Sequence, residues 1–334
     1  MAKCKKFLVL ICAAALCCLC LAACSSGSTG NSTNSRDMTV SDTGASTGDG
    51  SIETEPFWVL IVGNDSRINT SEYGSGHSDN EGHSDTIMIA RIDPVNYDIC
   101  IVTVPRDTQT TVDGATCKIN DSYLKEGQCE GLTKQIESLT GVSCKYYLDC
   151  GFISFEDFVN AFGGVTVDVP VTVSLPDIVA GGDDITIKAG KGQKLDGVDA
   201  LVFCRARHEY ATDLDACRQI QDRQVVVNMI QQVLNDPDNA TTYMNALTDN
   251  AKTNWNVASF NAQVQDFIDH ADQVSIRNGT GPYAGDIQTV EDGEDLWLAT
   301  RDEDTWAQVI AAAEESGSGD IDAIVPLPDV EAAS

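Results

Sequence analysis

From residue 57 onward the chain alternates short apolar runs with polar breaks. Phe57–Val62 is apolar without interruption and ends in Gly63-Asn64-Asp65-Ser66-Arg67. A run of that length and continuity predicts a strand buried on both faces that stops at a polar loop. Ser84-Asp85-Thr86 opens a second strand, IMIARI. Asp93-Pro94-Val95-Asn96 predicts a turn into a third, Ile99–Val104, so that the two form a hairpin of central strands. The hairpin ends at Pro105-Arg106-Asp107-Thr108, and Lys118-Ile119-Asn120-Asp121-Ser122-Tyr123 follows.

The period then lengthens. Leu132, Ile136 and Leu139 recur at helical spacing, with Gly141 as the stop. Tyr146–Cys150 suggests another strand. Phe155, Phe158, Val159 and Phe162 form an apolar helix stripe closed by Gly163-Gly164 before the strand Val165–Val169. That aromatic stripe reads as core, although a lipid groove would need similar residues. Leu195-Asp196-Gly197 predicts the start of a helix over Val198–Phe203, which delivers Arg205 and Arg207. A longer helix runs over Ala216–Leu234, with Val225, Val226, Met229, Ile230 and Val233 apolar, and Pro237 ends it. The remainder mixes helical segments with short strand candidates such as Leu296–Leu298. It is strongly acidic, and its only basic residues besides histidine are Lys252, Arg277 and Arg301. No internal repeat is visible.

Ahead of this pattern stands a different one. Lys3, Lys5 and Lys6 precede an apolar segment, Phe7–Leu19, that is short for a membrane span. Leu21-Ala22-Ala23-Cys24 follows at once. Small residues ending at a cysteine predict a lipoprotein signal over residues 1–23, with acylated Cys24 as the first mature residue. Residues 24–54 are rich in Ser, Thr and Gly and read as a flexible tether from membrane to domain. The expected location is the outer face of the cytoplasmic membrane. A single domain is then expected over residues 55–330, with its motif-bearing core in 56–235 and an acidic part in 236–330.

Charge sharpens the picture. The 334 residues carry 21 Lys+Arg against 51 Asp+Glu, a formal net charge of -30. That field argues against non-specific nucleic-acid binding. Against it, Leu201–Gln224 concentrates Arg205, Arg207, Arg218 and Arg223. Guanidinium forks match phosphate or carboxylate bidentately, so the cluster points to a specific anion. If residues 205–207 are extended, Arg205 and Arg207 share a side. A salt-bridged helix face is the other reading, because Asp213, Asp215 and Asp222 lie among the arginines.

Neither GxGxxG nor GxxxxGK[ST] occurs, so neither nucleotide-binding fingerprint is present. His77, Asp79 and His83 supply metal-ligand types in a polar loop, where such groups more commonly face solvent. Seven cysteines lie beyond the anchor: Cys100, Cys117, Cys129, Cys144, Cys150, Cys204 and Cys217. Outside the cytoplasm such residues can form disulfides, whose connectivity sequence does not give. A Cys204–Cys217 bridge would fix the two arms of the arginine cluster.

In order, VLIVGNDSR, SDTIMIARIDP, VTVPRDT, KINDSY, FGGVTVDV and KLDGVDALVFCRAR resemble the motif set of the LytR-CpsA-Psr family of extracytoplasmic cell-wall glycopolymer phosphotransferases. The resemblance covers roughly residues 56–235. It implies an α/β sandwich with a mostly antiparallel central sheet flanked by helices. It also implies a polyprenyl-pyrophosphate-linked glycan, its lipid in an apolar groove and its head group at arginines. On that basis Asp65 and Asp85 would hold Mg²⁺ or another divalent cation, and Arg106, Arg205 and Arg207 would bind the pyrophosphate. Arg67, Asp107, Lys118 and Asn120 sit in matching motifs as substrate-binding candidates.

The family pattern after the paired arginines is similar to Asp-x-x-Arg-x-x-Arg-Gln. Asp215-Ala216-Cys217-Arg218 fits its first half, but Gln221 stands where the next arginine belongs, and Arg223-Gln224 falls two positions late. On a helix that offset turns a side chain by about 200°, so Gln221 and Arg223-Gln224 cannot face one site equally. The implied activity is transfer of a glycopolymer from its polyprenyl-pyrophosphate carrier to peptidoglycan through a phosphodiester. Two alternatives share the residues: hydrolysis of the pyrophosphate, and non-catalytic binding of lipid-linked glycans.

Overall fold

A sheet built around the apolar run Phe57–Val62 divides the protein into layers. The structure, a computed structural model, describes residues 50–66, 68–71, 82–212 and 214–333. The signal segment, Cys24, Arg67, His77, Asp79 and Asp213 lie outside these residues. The described residues all belong to one compact unit.

β1 (Phe57–Asn64) pairs antiparallel with β2 (Ser84–Asp93), which pairs antiparallel with β3 (Asp98–Thr103) across the Asp93–Asp98 turn. A small hairpin, β4 (Gln109–Val112) and β5 (Ala115–Lys118), then leads to α1 (Asp121–Lys125) and α2 (Cys129–Thr140). Gly141 closes α2 at φ 74°, the left-handed C-terminal stop its position predicts. β6 (Cys144–Cys150) returns parallel to β1.

Next come α3 (Phe152–Ala161), β7 (Val165–Val169), β8 (Val173–Pro176), β9 (Asp184–Ile187) and β10 (Gly190–Leu195). They pair as two small sheets, β7 with β10 and β8 with β9. α4 (Gly197–Arg205), α5 (Leu214–Asn235), α6 (Ala240–Asn250), β11 (Lys252–Thr253) and α7 (Val257–Asp269) follow. β12 (Ser275–Thr280), the hairpin β13 (Gly285–Thr289)–β14 (Asp295–Ala299) and α8 (Glu303–Glu314) complete the set. The central order is β11-β6-β1-β2-β3-β12, a mixed sheet with three antiparallel and two parallel pairings.

β1 is apolar from Phe57 to Val62 because both its faces are covered. Trp58, Leu60 and Val62 pack with Ile87, Ile89, Cys100 and Val102 against Leu132 and Ile136 of α2 and Trp306 and Val309 of α8. On the opposite face Phe57 and Val59 pack with Trp255 and Phe260, and Met88, Ala90, Ile99 and Ile101 pack with Phe267 of α7. The result is a three-layer α/β sandwich.

α3 and α4 form a second centre under the small sheets. They approach closely because residue 197 is glycine: a Cβ there would lie 2.3 Å from the Glu156 carbonyl oxygen. Gly164, at φ +92°, likewise turns the chain out of α3 where a Cβ would lie 2.7 Å from the Leu195 carbonyl oxygen. Asp196 caps α4 by accepting the Asp199 N–H at 3.0 Å.

The aromatic stripe of α3 packs in the second hydrophobic centre, as its reading as core expects, and also borders a cavity. Val159 and Phe162 are buried and Phe155 and Phe158 half-buried, and the three phenylalanines border the cavity. All seven domain cysteines are free, so the Cys204–Cys217 bridge is absent. Cys217 donates instead to the Thr212 carbonyl at 3.4 Å, and Cys204 bonds the Asp222 carboxylate. Among the described residues no helix is long and apolar enough to cross a membrane.

Candidate functional site

The cavity has a volume of about 510 Å³, inside the range of ligand sites. Its floor is one face of the sheet (Val59, Ile61, Ala90, Ile92 and Ile99), and helices α3, α5, α6 and α7 wall it with apolar side chains. At the end where β1 stops and β2 begins, the lining becomes charged: Asp85, Arg106, Arg205, Arg207, Arg218 and Asp222.

Local structure explains how these residues meet. Gly63 pairs with Thr86 and Asn64 with Ser84, so Asp85 is the extra residue of a β-bulge, a feature that re-aims a side chain. Its carboxylate accepts from Arg106, and its carbonyl accepts from Arg218 Nη2 at 2.7 Å. Arg106 Nε lies 3.2 Å from Asp215. Arg218 Nη1 donates to Asp222 Oδ2 at 2.6 Å and its Nε to Asp215 Oδ1 at 3.1 Å. Thr86 donates to Asp222 at 2.7 Å.

α4 ends at Arg205, and Ala206 turns extended at φ -61°, ψ 128°. Arg205 and Arg207 therefore reach the same cavity by different routes. Arg205 lies over the Phe152 ring at 5.6 Å and donates to the Pro176 carbonyl at 3.3 Å. Arg207 Nε sits 3.8 Å from Asp215.

The electrostatics follow from burial and crowding. Burial alone pushes the Asp215 carboxyl up, but Arg218, Arg106 and Arg207 outweigh it and hold the group down at about 2. For Asp222, burial wins over Arg218 and raises the carboxyl. Burial also lowers Arg207, and neighbouring Arg106 adds to the effect. Burial opposes the charge of Arg106 too, yet Asp85 and Asp215 leave it raised. Among the described residues, the buried Nε atoms of Arg106 and Arg207 make no well-directed hydrogen bond. A wall of four guanidinium groups with donors to spare suits an anion with several oxygens.

The other sequence candidates fall into two groups. Asp107 pairs with Lys118 at 2.6 Å, and the Asn120 N–H donates to the Arg106 carbonyl at 3.2 Å. Both contacts brace the Arg106 loop from behind. Asp65, beside the cavity, accepts the His83 N–H at 2.6 Å. The late pair of α5 is not among the cavity lining residues. Arg223 is buried and donates to Asn278 at 2.9 Å and Thr103 at 2.8 Å, and burial lowers it to about 10. Gln221 donates to the Cys217 carbonyl at 3.4 Å, and Gln224 joins the edge of β7 through Asp168.

Asp222 and Thr86 complete the seat of Arg218; Thr86 lies in the SDTIMIARIDP motif without having been singled out there, and Asp222 lies outside the quoted motifs. Asp222 stood out in the sequence only as one of the carboxylates among the arginines.

For a cation, the residues present supply two carboxylates at the joined ends of β1 and β2. No group of three or more His, Cys, Asp or Glu residues clusters among the described residues. That donor set fits Mg²⁺, which is held through one or two carboxylates with phosphate oxygens and water completing the shell.

Residues 21–309 match the model of the LytR_cpsA_psr family. The chain belongs to this family. It is 31% identical over 203 residues to the polyisoprenyl-teichoic acid–peptidoglycan teichoic acid transferase TagU of Enterococcus faecalis, a match covering 60% of this chain and 61% of that protein. TagV of Bacillus subtilis, a transferase of the same description, is 28% identical over 186 residues, covering 54% and 42%. The chain thus spans less than two thirds of either curated relative. The fold superposes on the crystal structure of B. subtilis TagV with a TM-score of 0.61 at 19% identity, covering 80% of this chain and 100% of that one. Lin1025 of Listeria innocua gives 0.55 at 27% identity, covering 77% and 96%.

Proposed function

We propose that this LytR-CpsA-Psr protein transfers a glycopolymer from a polyprenyl-pyrophosphate carrier to peptidoglycan. The observation that carries the reading is the continuity of an apolar cavity with an arginine wall. One ligand with a long hydrocarbon tail and a polyanionic head would fill both parts. The relatives described as polyisoprenyl-teichoic acid–peptidoglycan transferases support the same assignment.

In this reading the isoprenoid lies along Phe155, Val226 and Leu247, and the pyrophosphate meets Arg106, Arg205, Arg207 and Arg218. Asp85 and Asp65 would hold Mg²⁺, which supplies charge neutralisation at the phosphates when bound. An acceptor sugar hydroxyl attacks the glycan-linked phosphorus. A new O–P bond forms, the bond from that phosphorus to the bridging oxygen breaks, and polyprenyl phosphate leaves. The hydroxyl proton goes to Asp85, the carboxylate that lines the cavity beside Arg106. Fixed guanidinium charge facing the phosphates supplies the stabilisation that phosphoryl transfer chiefly needs. Acylated Cys24 would tether the domain to the outer face of the cytoplasmic membrane, where such a lipid lies.

The test is transfer from a synthetic polyprenyl-pyrophosphate oligosaccharide to peptidoglycan fragments, with and without Mg²⁺. Phosphodiester product is expected, with turnover falling about 10²–10³-fold in Arg205→Ala and in Asp85→Ala. Release of polyprenyl phosphate and sugar phosphate without transfer would identify a hydrolase instead. Binding without turnover for every acceptor would leave a lipid-glycan-binding protein.

A further inference from the structure

On β6, beside the end of β1, lies a carboxylate that the chemistry above does not use. Asp149, on β6 beside Val62 of β1, is 3% exposed, and no motif of the sequence includes it. Its Oδ1 accepts from Asn64 Nδ2 at 2.7 Å and its Oδ2 from the Tyr123 hydroxyl at 2.7 Å. The buried Cys129 thiol bonds the same group. Asn64 and Tyr123 are themselves 7% and 1% exposed. A carboxylate this deep is costly unless its oxygens are hydrogen-bonded, and all three donors come from neutral side chains.

What the donors belong to gives the arrangement its meaning. Asn64 is the last residue of β1, and its side-chain oxygen accepts the Ser66 N–H at 3.2 Å, so its amide spans the turn that carries Asp65. Gly151 leaves room for it, since a Cβ there would lie 3.1 Å from Asn64 Oδ1. Tyr123 belongs to α1, which follows directly on Lys118–Asn120. That stretch braces Arg106: Ile119 donates to the Thr108 carbonyl at 2.8 Å and Asn120 to that of Arg106 at 3.2 Å. One buried carboxylate therefore joins the loop of Asp65 to the segment supporting Arg106 and Asp107.

We infer that Asp149 is a positioning residue, which fixes the Asp65 turn and the Lys118–Tyr123 segment relative to each other through Asn64 and Tyr123. Its link to turnover rests on the function proposed above; its effect on the two segments does not.

Asp149→Asn keeps the volume but leaves one oxygen for two donors, so an N–H must face either Asn64 or Tyr123. Hydrogen–deuterium exchange of the full chain should then speed up in peptides covering residues 62–68 and 118–124, while the sheet centre stays protected. Tyr123→Phe, which removes one arm only, should speed exchange in 118–124 and spare 62–68. That variant keeps the test decisive if Asp149→Asn folds poorly. With a polyprenyl-pyrophosphate donor, Asp149→Asn should also lose roughly 10–100-fold in turnover per folded molecule and require more Mg²⁺ for half-maximal rate. Unchanged exchange in both segments, or acceleration spread evenly over the domain, would overturn the inference. A wild type inactive on every donor would count against the proposed function alone, since the exchange result is read without substrate.

Discussion

Arg218 shows how one side chain can be both a structural and a binding element. Its side chain is 5% exposed and joins Asp215 at 3.0 Å, Asp222 at 2.6 Å and the backbone of Asp85. Arg218→Ala leaves the buried Asp222 and the half-buried Asp215 without their main cation, a change that costs about 3–5 kcal/mol. The pH dependence has a definite sign. Asp215, held down at about 2 in the folded protein, contributes stability that is complete above its unfolded pKa of about 3.9 and is lost as pH falls through about 2. Removing Arg218 lets that carboxyl rise, so acid unfolding should begin at higher pH. Denaturant titration at neutral pH together with a pH series of Tm checks both. Equal stability, or an unmoved acid limb, would show that Arg106 and Arg207 suffice. Arg205 is the contrast: lying over Phe152 at the cavity edge, it bears on ligand binding more than on folding.

α5 has distinct faces. Arg218 and Asp222 point to the charged end, Val225, Val226, Met229 and Ile230 line the apolar part, and Gln224, Asn228 and Gln232 bond the edge of β7 and the end of α3. The apolar spacing and the Pro237 stop made the helix legible in sequence. The two-residue displacement of Arg223-Gln224 was legible too, but its destination was not. Arg223 turns to Thr103 and Asn278 because α5 packs against β3 and β12, a neighbour relation that no local pattern carries. The α3 stripe was legible as core, but its share in the cavity was not: apolar periodicity says that a face is covered, not whether protein or ligand covers it. Val226→Phe tests the cavity face. Partial filling of the space should raise Tm by about 1–3 °C. It should also raise KM for a polyprenyl-pyrophosphate donor about tenfold, the equivalent of roughly two unburied methylenes. A higher Tm with unchanged KM would place the lipid elsewhere.

At the scale of the molecule, strand ends gather what the sequence scatters. Asp65, Asp85 and Arg106 stand at ends of β1, β2 and β3, so motifs read as separate loops converge on one end of the sheet. Their order along the chain made the family and the sandwich legible. Asp149 was not, because a single acidic residue in the strand Cys144–Cys150 carries no signal until Asn64 and Tyr123 are seen on either side of it. The net charge of -30 makes the arginine wall a local exception. An anionic head group is drawn there by short-range contacts rather than by the field of the whole protein.

That one ligand spans apolar cavity and arginine wall is the central claim. Its most direct test is photo-crosslinking with a polyprenyl-pyrophosphate analogue bearing a benzophenone on the isoprenoid, followed by peptide mapping. The account predicts adducts on cavity-lining segments around Phe155, Val226 and Leu247, suppressed by unlabelled lipid and diminished in Arg205→Ala. Adducts confined to the outer surface, or equally abundant in the presence of unlabelled competitor, would contradict it.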